Sequence, residues 1–335
     1  MEQRIFEPFG KVSSLTLGGG GLGQVWGSTT REEAIATVQL ALEKGINHLD
    51  VAPMYGKGES EIVLGKALRE QDLKTVKVTT KCRLGTLPDE EVFDYLHRSL
   101  SRSLESMNLT RVDLFLLHSQ LIEDGFTLAN NDEYKLRTTT TLSSYFNAVI
   151  PAFEQLKKDG LIGSWGIGGL GQQKAVIAAI NNEVKPEAIQ CVINPLNSAG
   201  AIAYVDDEFN SQQIFVESKR NEIPILGIRA VQAGALTSKM DREPHPSGMD
   251  KKDFEDYERA ESFRELAKEL NESPSKLAYR YALSQNGVSS IILGVKNREE
   301  LMECLESEQS KRLDKEQISK IEEAISLKKL NRKSN

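Results

Sequence analysis

Four polar residues of the chain have side chains that suit proton transfer to a carbonyl oxygen: Asp50, Tyr55, Lys81 and His118. A tyrosine has an ordinary pKa of about 10, and a nearby ammonium group stabilises its phenolate and lowers that pKa. Asp50 would hold Lys81 in place, because a buried ammonium needs such a partner. His118 could hydrogen-bond the substrate oxygen or share the proton. The set suits protonation of that oxygen while a hydride from a cofactor reaches the carbon.

The elements that must position these residues are short strands that alternate with helices. Asp50, Lys81 and His118 each fall at the carboxyl end of a predicted strand. Right-handed βα units close into a barrel, and strand ends about 4.8 Å apart converge at one mouth. We therefore predict an α/β fold, a (β/α)8 barrel. Its eight strands are predicted over residues 13–18, 46–51, 76–82, 112–118, 161–167, 188–193, 223–229 and 289–294.

The chain shows no linker or shift in composition that would divide it, so we expect a single domain over residues 1–335. Helices predicted near 298–306 and 315–327 form a C-terminal helical extension. Loops set specificity in such barrels, but the long ones here carry no motif that identifies a substrate. These loops are predicted over residues 119–144, 194–210 and 232–256.

The charge balance and the cysteine count limit the partners. The 335 residues include 42 Lys and Arg against 49 Asp and Glu, a net charge of −7, which argues against nucleic acid or an anionic membrane as the main partner. Three separated cysteines argue against a disulfide framework. No apolar run approaches the roughly 20 residues that span a bilayer, and residues 1–10 lack the apolar core of a signal peptide. We expect a cytoplasmic protein that acts on a small molecule.

A glycine segment offers a competing interpretation. Residues 18–23 (GGGGLG) match the dinucleotide-binding pattern G-x-G-x-x-G after a strand. In a Rossmann fold such glycines open directly into a helix, whereas here residues 26–29 intervene and a capping box of Thr30 and Glu33 starts the helix. Asp50 lies 27 residues beyond Gly23, rather than the usual distance of about 20. The pattern favours a flexible first loop that lets a ligand approach the backbone.

A metal site is the second alternative. His48 and Asp50 face the same side of one strand and, with His118, could bind a divalent ion for hydrolysis. His48 would, however, lie roughly 6.6 Å below Asp50 in the barrel. We therefore expect His48 to be a packed interior residue and predict no metal.

Longer segments around these residues resemble the aldo-keto reductase family. Residues 45–68 (GINHLDVAPMYGKGESEIVLGKAL) are similar to its signature, and 78–81 (VTTK) and 113–118 (DLFLLH) resemble its lysine and histidine segments. The likeness extends from residue 14 to about 313. It implies a TIM barrel with an intact catalytic tetrad and NADP(H)-dependent carbonyl reduction, in which Tyr55 is the acid. It also implies a cofactor that lies across the barrel mouth without a Rossmann fold.

The nicotinamide contacts that the resemblance implies are altered in this chain. The family's Ser and Asn after strand five are replaced by Gly168 and Gly169, which removes two side-chain hydrogen bonds of about 1 kcal/mol each. Gln190 matches the family's other carboxamide contact. Where the family often has a stacking Tyr, an aliphatic face or Arg229 must pack on the nicotinamide. The implied cofactor contacts are Gly19, Asp50, Gly168, Gly169, Gln190, Ile228, Arg229, Ala230, Gly294, Lys296, Arg298 and Glu300.

The segment after the last strand resembles the one that binds the adenosine 2′-phosphate. Lys296 and Arg298 could pair with a phosphate. Glu300 stands where Arg or Gln is usual, and its carboxylate would repel a 2′-phosphate and could accept a bond from a free 2′-hydroxyl. The family resemblance favours NADP(H), and NAD(H) stays the alternative.

The resemblance implies an NAD(P)(H)-dependent oxidoreductase that reduces aldehydes or ketones, or oxidises the corresponding alcohols or sugars. A nicotinamide-binding regulatory subunit without significant turnover is the other possibility, as in the family's potassium-channel β subunits. The altered nicotinamide contacts leave room for it, whereas the intact tetrad argues against it.

Overall fold

Eight parallel strands close into a barrel in the computed structural model, which describes residues 1–25, 27–69, 71–127, 132–205 and 209–332. Each strand pairs with the one before it in the chain, and the eighth pairs with the first, as predicted. The barrel strands are β1 Leu15–Gly18, β2 His48–Asp50, β3 Lys77–Cys82, β4 Val112–Leu117, β5 Ile162–Ile167, β6 Ile189–Val192, β7 Ile225–Ile228 and β8 Val288–Leu293.

Helices follow the strands and cover the outside of the barrel. The first long helix begins as the capping box predicts, because Thr30 Oγ1 accepts a hydrogen bond of 3.1 Å from the backbone N–H of Glu33. The long helices are α1 Arg31–Glu43, α2 Glu59–Ala67, α3 Asp89–Met107, α4 Ile150–Lys158, α5 Gln173–Ile180, α6 Ser211–Arg220, α7 Lys251–Arg259, α8 Glu261–Glu269, α9 Pro274–Leu283, α10 Arg298–Gln309 and α11 Lys315–Arg332. The last two form the predicted C-terminal extension.

Two regions differ from the prediction. An antiparallel hairpin of Gln3–Phe6 and Gly10–Ser13 precedes the barrel, and its Phe6 packs with buried residues of the barrel strands. The segment predicted as a loop over 119–144 contains a two-stranded parallel sheet, Gln120–Ile122 with Thr139–Thr141. That prediction is wrong because the sheet forms between residues about twenty positions apart, a pairing that no local pattern reveals.

The barrel interior includes a buried layer of polar side chains around His48. Its Nδ1 lies 2.8 Å from Thr16 Oγ1, and its Nε2 lies 2.7 Å from Thr79 Oγ1. Burial, together with the charge of Lys81, lowers the pKa of His48 to about 3, so the imidazole is neutral. The prediction that His48 is a packed interior residue is confirmed.

Within the described part of the chain, every helix is too short or too polar to cross a bilayer.

Candidate functional site

The carboxyl ends of β2 and β3 bring Asp50 and Lys81 into contact inside the barrel. Lys81 Nζ donates to Asp50 Oδ1 at 2.5 Å and to the backbone oxygen of Val51 at 2.9 Å. Gln190 from β6 donates its Nε2 to Asp50 Oδ2 at 2.9 Å. Lys81, Asp50 and Gln190 are buried. Both carboxylate oxygens of Asp50 are therefore engaged within the protein.

Tyr55 and His118 lie next to this ion pair and are less buried. Lys81 Nζ is 4.7 Å from the centre of the Tyr55 ring. The His118 ring meets the Tyr55 ring edge-to-face, with 5.8 Å between the ring centres. Both rings are half-buried. The structure thus brings together all four residues selected from the sequence, with the aromatic pair more open to solvent than the ion pair.

Burial and charge act in opposite directions on the pKa values of these groups. Burial alone would lower the pKa of Lys81, but the neighbouring Asp50 and Tyr55 raise it above its usual range, so the ammonium stays charged. Burial raises the pKa of Asp50, against the effects of Lys81 and Gln190. Since Asp50 accepts hydrogen bonds from both of these donors, the geometry is that of a carboxylate.

Tyr55 and His118 are both held in uncharged forms. Burial raises the pKa of Tyr55 above its ordinary value, and the charge of Lys81 only partly counters this. Lys81 thus acts in the predicted direction, but burial outweighs it and the pKa lies above its ordinary value. Burial, with the positive charges of Lys81 and Arg83, holds the pKa of His118 well below its usual range. At neutral pH the site presents a phenol and a neutral imidazole beside a buried ammonium.

The glycine segment after β1 forms a single buried helical turn, Gly19–Leu22. A Cβ at Gly21 would overlap the backbone oxygen of Val295, and a Cβ at Gly23 would lie 2.7 Å from the backbone carbonyl of Tyr55. The predicted flexible loop is therefore wrong, since these glycines allow a helical turn to pack closely against the segment after β8 and the Tyr55 loop. Trp26, which continues this segment, lies outside the described residues.

The two glycines after β5 have different surroundings. Gly169 has a φ of +63°, and a Cβ there would overlap the backbone oxygen of Gln190. At Gly168 a Cβ would meet the backbone oxygen of Leu117 at 3.4 Å, an ordinary contact. Only glycine fits at position 169. This close approach explains why no side chain stands there to hold a nicotinamide.

Arg229 lies after β7 but does not extend freely into the barrel mouth. Its Nη2 is 2.5 Å from Asp253 Oδ1, and its Nε donates to Gln232 Oε1 at 3.0 Å. The guanidinium is thus bound by the loop and helix α7 rather than placed to pack on a ligand. Ile228, half-buried at the end of β7, supplies the aliphatic face, with the buried Ala230 beside it.

The cations of the adenosine segment are paired with carboxylates. Lys296 Nζ lies 2.5 Å from Asp241 Oδ2 and 2.6 Å from Glu300 Oε1. Arg298 Nη2 lies 2.8 Å from Glu33 Oε2. The two cations of the segment that begins at the half-buried Gly294 are therefore paired with three carboxylates. One of these carboxylates comes from the segment itself and two come from elsewhere in the chain.

One residue beside the site was not selected from the sequence. Arg83 follows directly after β3, two positions beyond Lys81, and its charge contributes to the pKa of both Tyr55 and His118. The alternation of side chains along the strand, which puts residues 81 and 83 on one side, is the signal that would have indicated it.

No group of three or more His, Cys, Asp or Glu side chains that could hold a metal ion is found among the residues that the structure describes. A nicotinamide amide fits the residues present. Gln190 Nε2 donates to Asp50, and its Oε1 forms no hydrogen bond within the described part of the chain, so it is left as an acceptor.

Comparisons with known proteins agree in pointing to one family. The family model described as "Aldo/keto reductase family" matches residues 14–326. An L-galactose dehydrogenase from Arabidopsis thaliana is 27% identical over 321 residues, which cover 93% of this chain and 90% of the relative. An aldo-keto reductase from Bacillus halodurans, solved in its holo form, superposes with a TM-score of 0.71 at 18% identity, over 97% of this chain and 96% of that one. A glycerol dehydrogenase from Gluconobacter oxydans gives a TM-score of 0.71 at 19% identity, over 97% and 95%. At these identities the solved structures show a shared fold.

Proposed function

The chain belongs to the aldo/keto reductase family and is an oxidoreductase acting on CH–OH and carbonyl groups, and from this we propose that Tyr55 donates the proton in an NAD(P)(H)-dependent reduction of aldehydes or ketones. The observation that carries the proposal is the buried Lys81–Asp50 ion pair beside the half-buried Tyr55 ring. A phenol that stays protonated at neutral pH is the form that a proton donor needs.

Each residue of the site has a different role in proton transfer. During reduction the O–H bond of Tyr55 breaks and a new O–H bond forms on the substrate oxygen, while a hydride adds to the carbonyl carbon. Lys81 stabilises the phenolate that remains, and its own charge is maintained by Asp50. Neutral His118 donates a hydrogen bond to the same oxygen. The reverse steps oxidise an alcohol or a sugar hydroxyl.

The nicotinamide cofactor supplies or accepts the hydride when it is bound. Gln190 would offer its Oε1 to the carboxamide, Gly168 and Gly169 would present a surface free of side chains, and Ile228 would pack on the ring. At the adenosine end, the family resemblance favours NADP(H), whereas the pairing of Lys296 and Arg298 with carboxylates favours NAD(H). We propose that the chain binds both NADP(H) and NAD(H), and that those ion pairs determine the ratio of the two affinities.

Oxidation of NADPH and NADH, followed by absorbance with a panel of aldehydes and ketones, tests the proposal. Tyr55→Phe should lower kcat by about 10²- to 10⁴-fold while cofactor affinity stays nearly constant. Tyr95→Phe is the matched control, because Tyr95 is also half-buried but lies on α3 outside the barrel. A Tyr55→Phe variant that keeps most of its kcat would contradict the assignment. Cofactor binding without turnover of any substrate would favour the regulatory subunit.

A further inference from the structure

Arg83 lies at the barrel mouth in a segment that is held firmly. It follows directly after β3 and falls on the same side as Lys81. The backbone just beyond it is anchored on two sides, because the N–H of Gly85 donates to Ser119 Oγ at 2.9 Å and the N–H of Thr86 donates to the backbone oxygen of Leu136 at 2.8 Å. The side chain of Arg83 is therefore attached to a backbone segment that hydrogen bonds hold in place.

Among the residues that the structure describes, none forms a hydrogen bond or an ion pair with the guanidinium of Arg83. Its Nε is buried and forms no hydrogen bond, and none of the carboxylates in the described ranges forms an ion pair with it. Other cations of the barrel mouth are paired, as Lys81 is with Asp50 and Lys296 is with Asp241. A half-buried cation without a counter-ion is costly, and an anion bound against it offsets that cost.

Three rings near the barrel mouth are within electrostatic reach of Arg83. Its charge lowers the pKa of Tyr55, His118 and Tyr204. The Tyr204 ring packs edge-to-face on Tyr134, with 5.0 Å between the ring centres. Tyr134 comes from the segment after β4, so two of the long connections meet here.

We propose that Arg83 binds a carboxylate of the substrate, so that the enzyme prefers carbonyl compounds carrying an acid group to neutral ones of the same shape. This rests on the proposed function, since it names the substrate class of the same site. A carboxylate rather than a phosphate is favoured because a single guanidinium matches a single negative charge in a bidentate pair.

Matched substrates test the inference. 4-Formylbenzoate and its methyl ester share a ring and an aldehyde and differ in charge. We expect kcat/KM to be at least about tenfold higher for the acid, mainly through KM, since hydrogen bonds between charged groups contribute at this level. Arg83→Met should bring the ratio close to one, and Arg83→Lys, which keeps the charge without the planar fork, should fall between. Arg102→Met removes an exposed charge from α3 and should leave the ratio unchanged.

A binding measurement separates this inference from the proposed function. The corresponding alcohols, 4-(hydroxymethyl)benzoate and its methyl ester, are titrated calorimetrically into the protein saturated with NADPH or NADH. Tighter binding of the acid that is lost in Arg83→Met supports the inference even where neither aldehyde is reduced, an outcome that would count against the proposed reaction alone. Equal binding of acid and ester, or a preference that survives Arg83→Met, overturns the inference whatever the turnover.

Discussion

The ammonium group of Lys81 lies 2.5 Å from Oδ1 of Asp50, and both side chains are buried in the barrel. The second oxygen of Asp50 accepts from Gln190 at 2.9 Å. Both oxygens of Asp50 thus accept hydrogen bonds from protein groups. We propose that Asp50 is a positioning residue that keeps Lys81 charged beside Tyr55, rather than a proton donor.

Replacing Asp50 by Asn should make the reaction sensitive to pH in the neutral range. Asp50 raises the pKa of Lys81, whereas burial lowers it. In Asp50→Asn only Tyr55 remains to oppose burial, so the pKa of Lys81 falls. The reduction rate should then be retained at low pH, where Lys81 is protonated, and lost as the pH rises through the lowered pKa. Steady-state kcat between pH 6 and 9 measures this.

Asp113→Asn is the control for that profile, because Asp113 on β4 pairs with Lys77 on β3 at 3.3 Å without touching the site. Its profile should match that of the unchanged protein. A flat profile for Asp50→Asn with an undiminished kcat would show that Lys81 does not depend on its carboxylate partner.

The barrel and the residues of the site could be predicted from sequence because their signals are local. Most barrel strands are short segments with apolar or β-branched residues between turn residues, and Asp50, Lys81 and His118 stand where three of these segments end. The single turn at Gly19–Leu22 could not be predicted. This glycine-rich segment forms a helical turn because it packs closely against Val295 and Tyr55.

The ionic contacts of the barrel mouth could not be predicted from sequence for a different reason. Arg229 pairs with Asp253 and Arg298 pairs with Glu33, partners that are 24 and 265 residues apart. Local sequence showed the cations but not which carboxylates reach them. For the same reason it did not show that Arg83 has no such partner in the described ranges.

Replacing each of the two glycines after β5 by alanine should have effects of very different size. Gly169→Ala forces a Cβ into the left-handed region, which costs about 1–2 kcal/mol, and into overlap with the Gln190 carbonyl. We expect the free energy of unfolding to fall by at least about 2 kcal/mol and kcat to drop as Gln190 moves away from Asp50. Gly168→Ala, where the Cβ makes an ordinary contact, should change stability by less than about 1 kcal/mol. Urea unfolding and kcat of the two variants test this. Equal losses of stability in both variants would contradict the close approach of the Gln190 carbonyl to position 169.

Removing the charge of Glu300 should shift cofactor choice toward NADPH. Glu300 Oε2 accepts from the backbone N–H of Lys296 at 2.9 Å, a bond that Gln can keep, while its Oε1 pairs with the ammonium. Glu300→Gln should raise the affinity for NADPH relative to NADH by about fivefold, the value of a partly exposed charge pair. Fluorescence titration with each cofactor measures the ratio, and the exposed Glu299→Gln is the adjacent control. The same shift in both variants would indicate only a general change of charge.

His48 should make the fold sensitive to acid. Its pKa is about 3 in the folded chain and near 6.5 when exposed, so between these values the unfolded state binds a proton that the folded state does not. Stability should therefore fall as the pH drops below about 6.5, by about 1.4 kcal/mol per pH unit from this residue. His48→Gln, which can still hydrogen-bond Thr16 and Thr79, should remove that slope at some cost in stability at pH 7. The exposed His97→Gln should leave the slope intact. Urea unfolding at pH 7, 6 and 5 compares the three proteins, and equal slopes would show that His48 is not the group whose protonation drives acid unfolding.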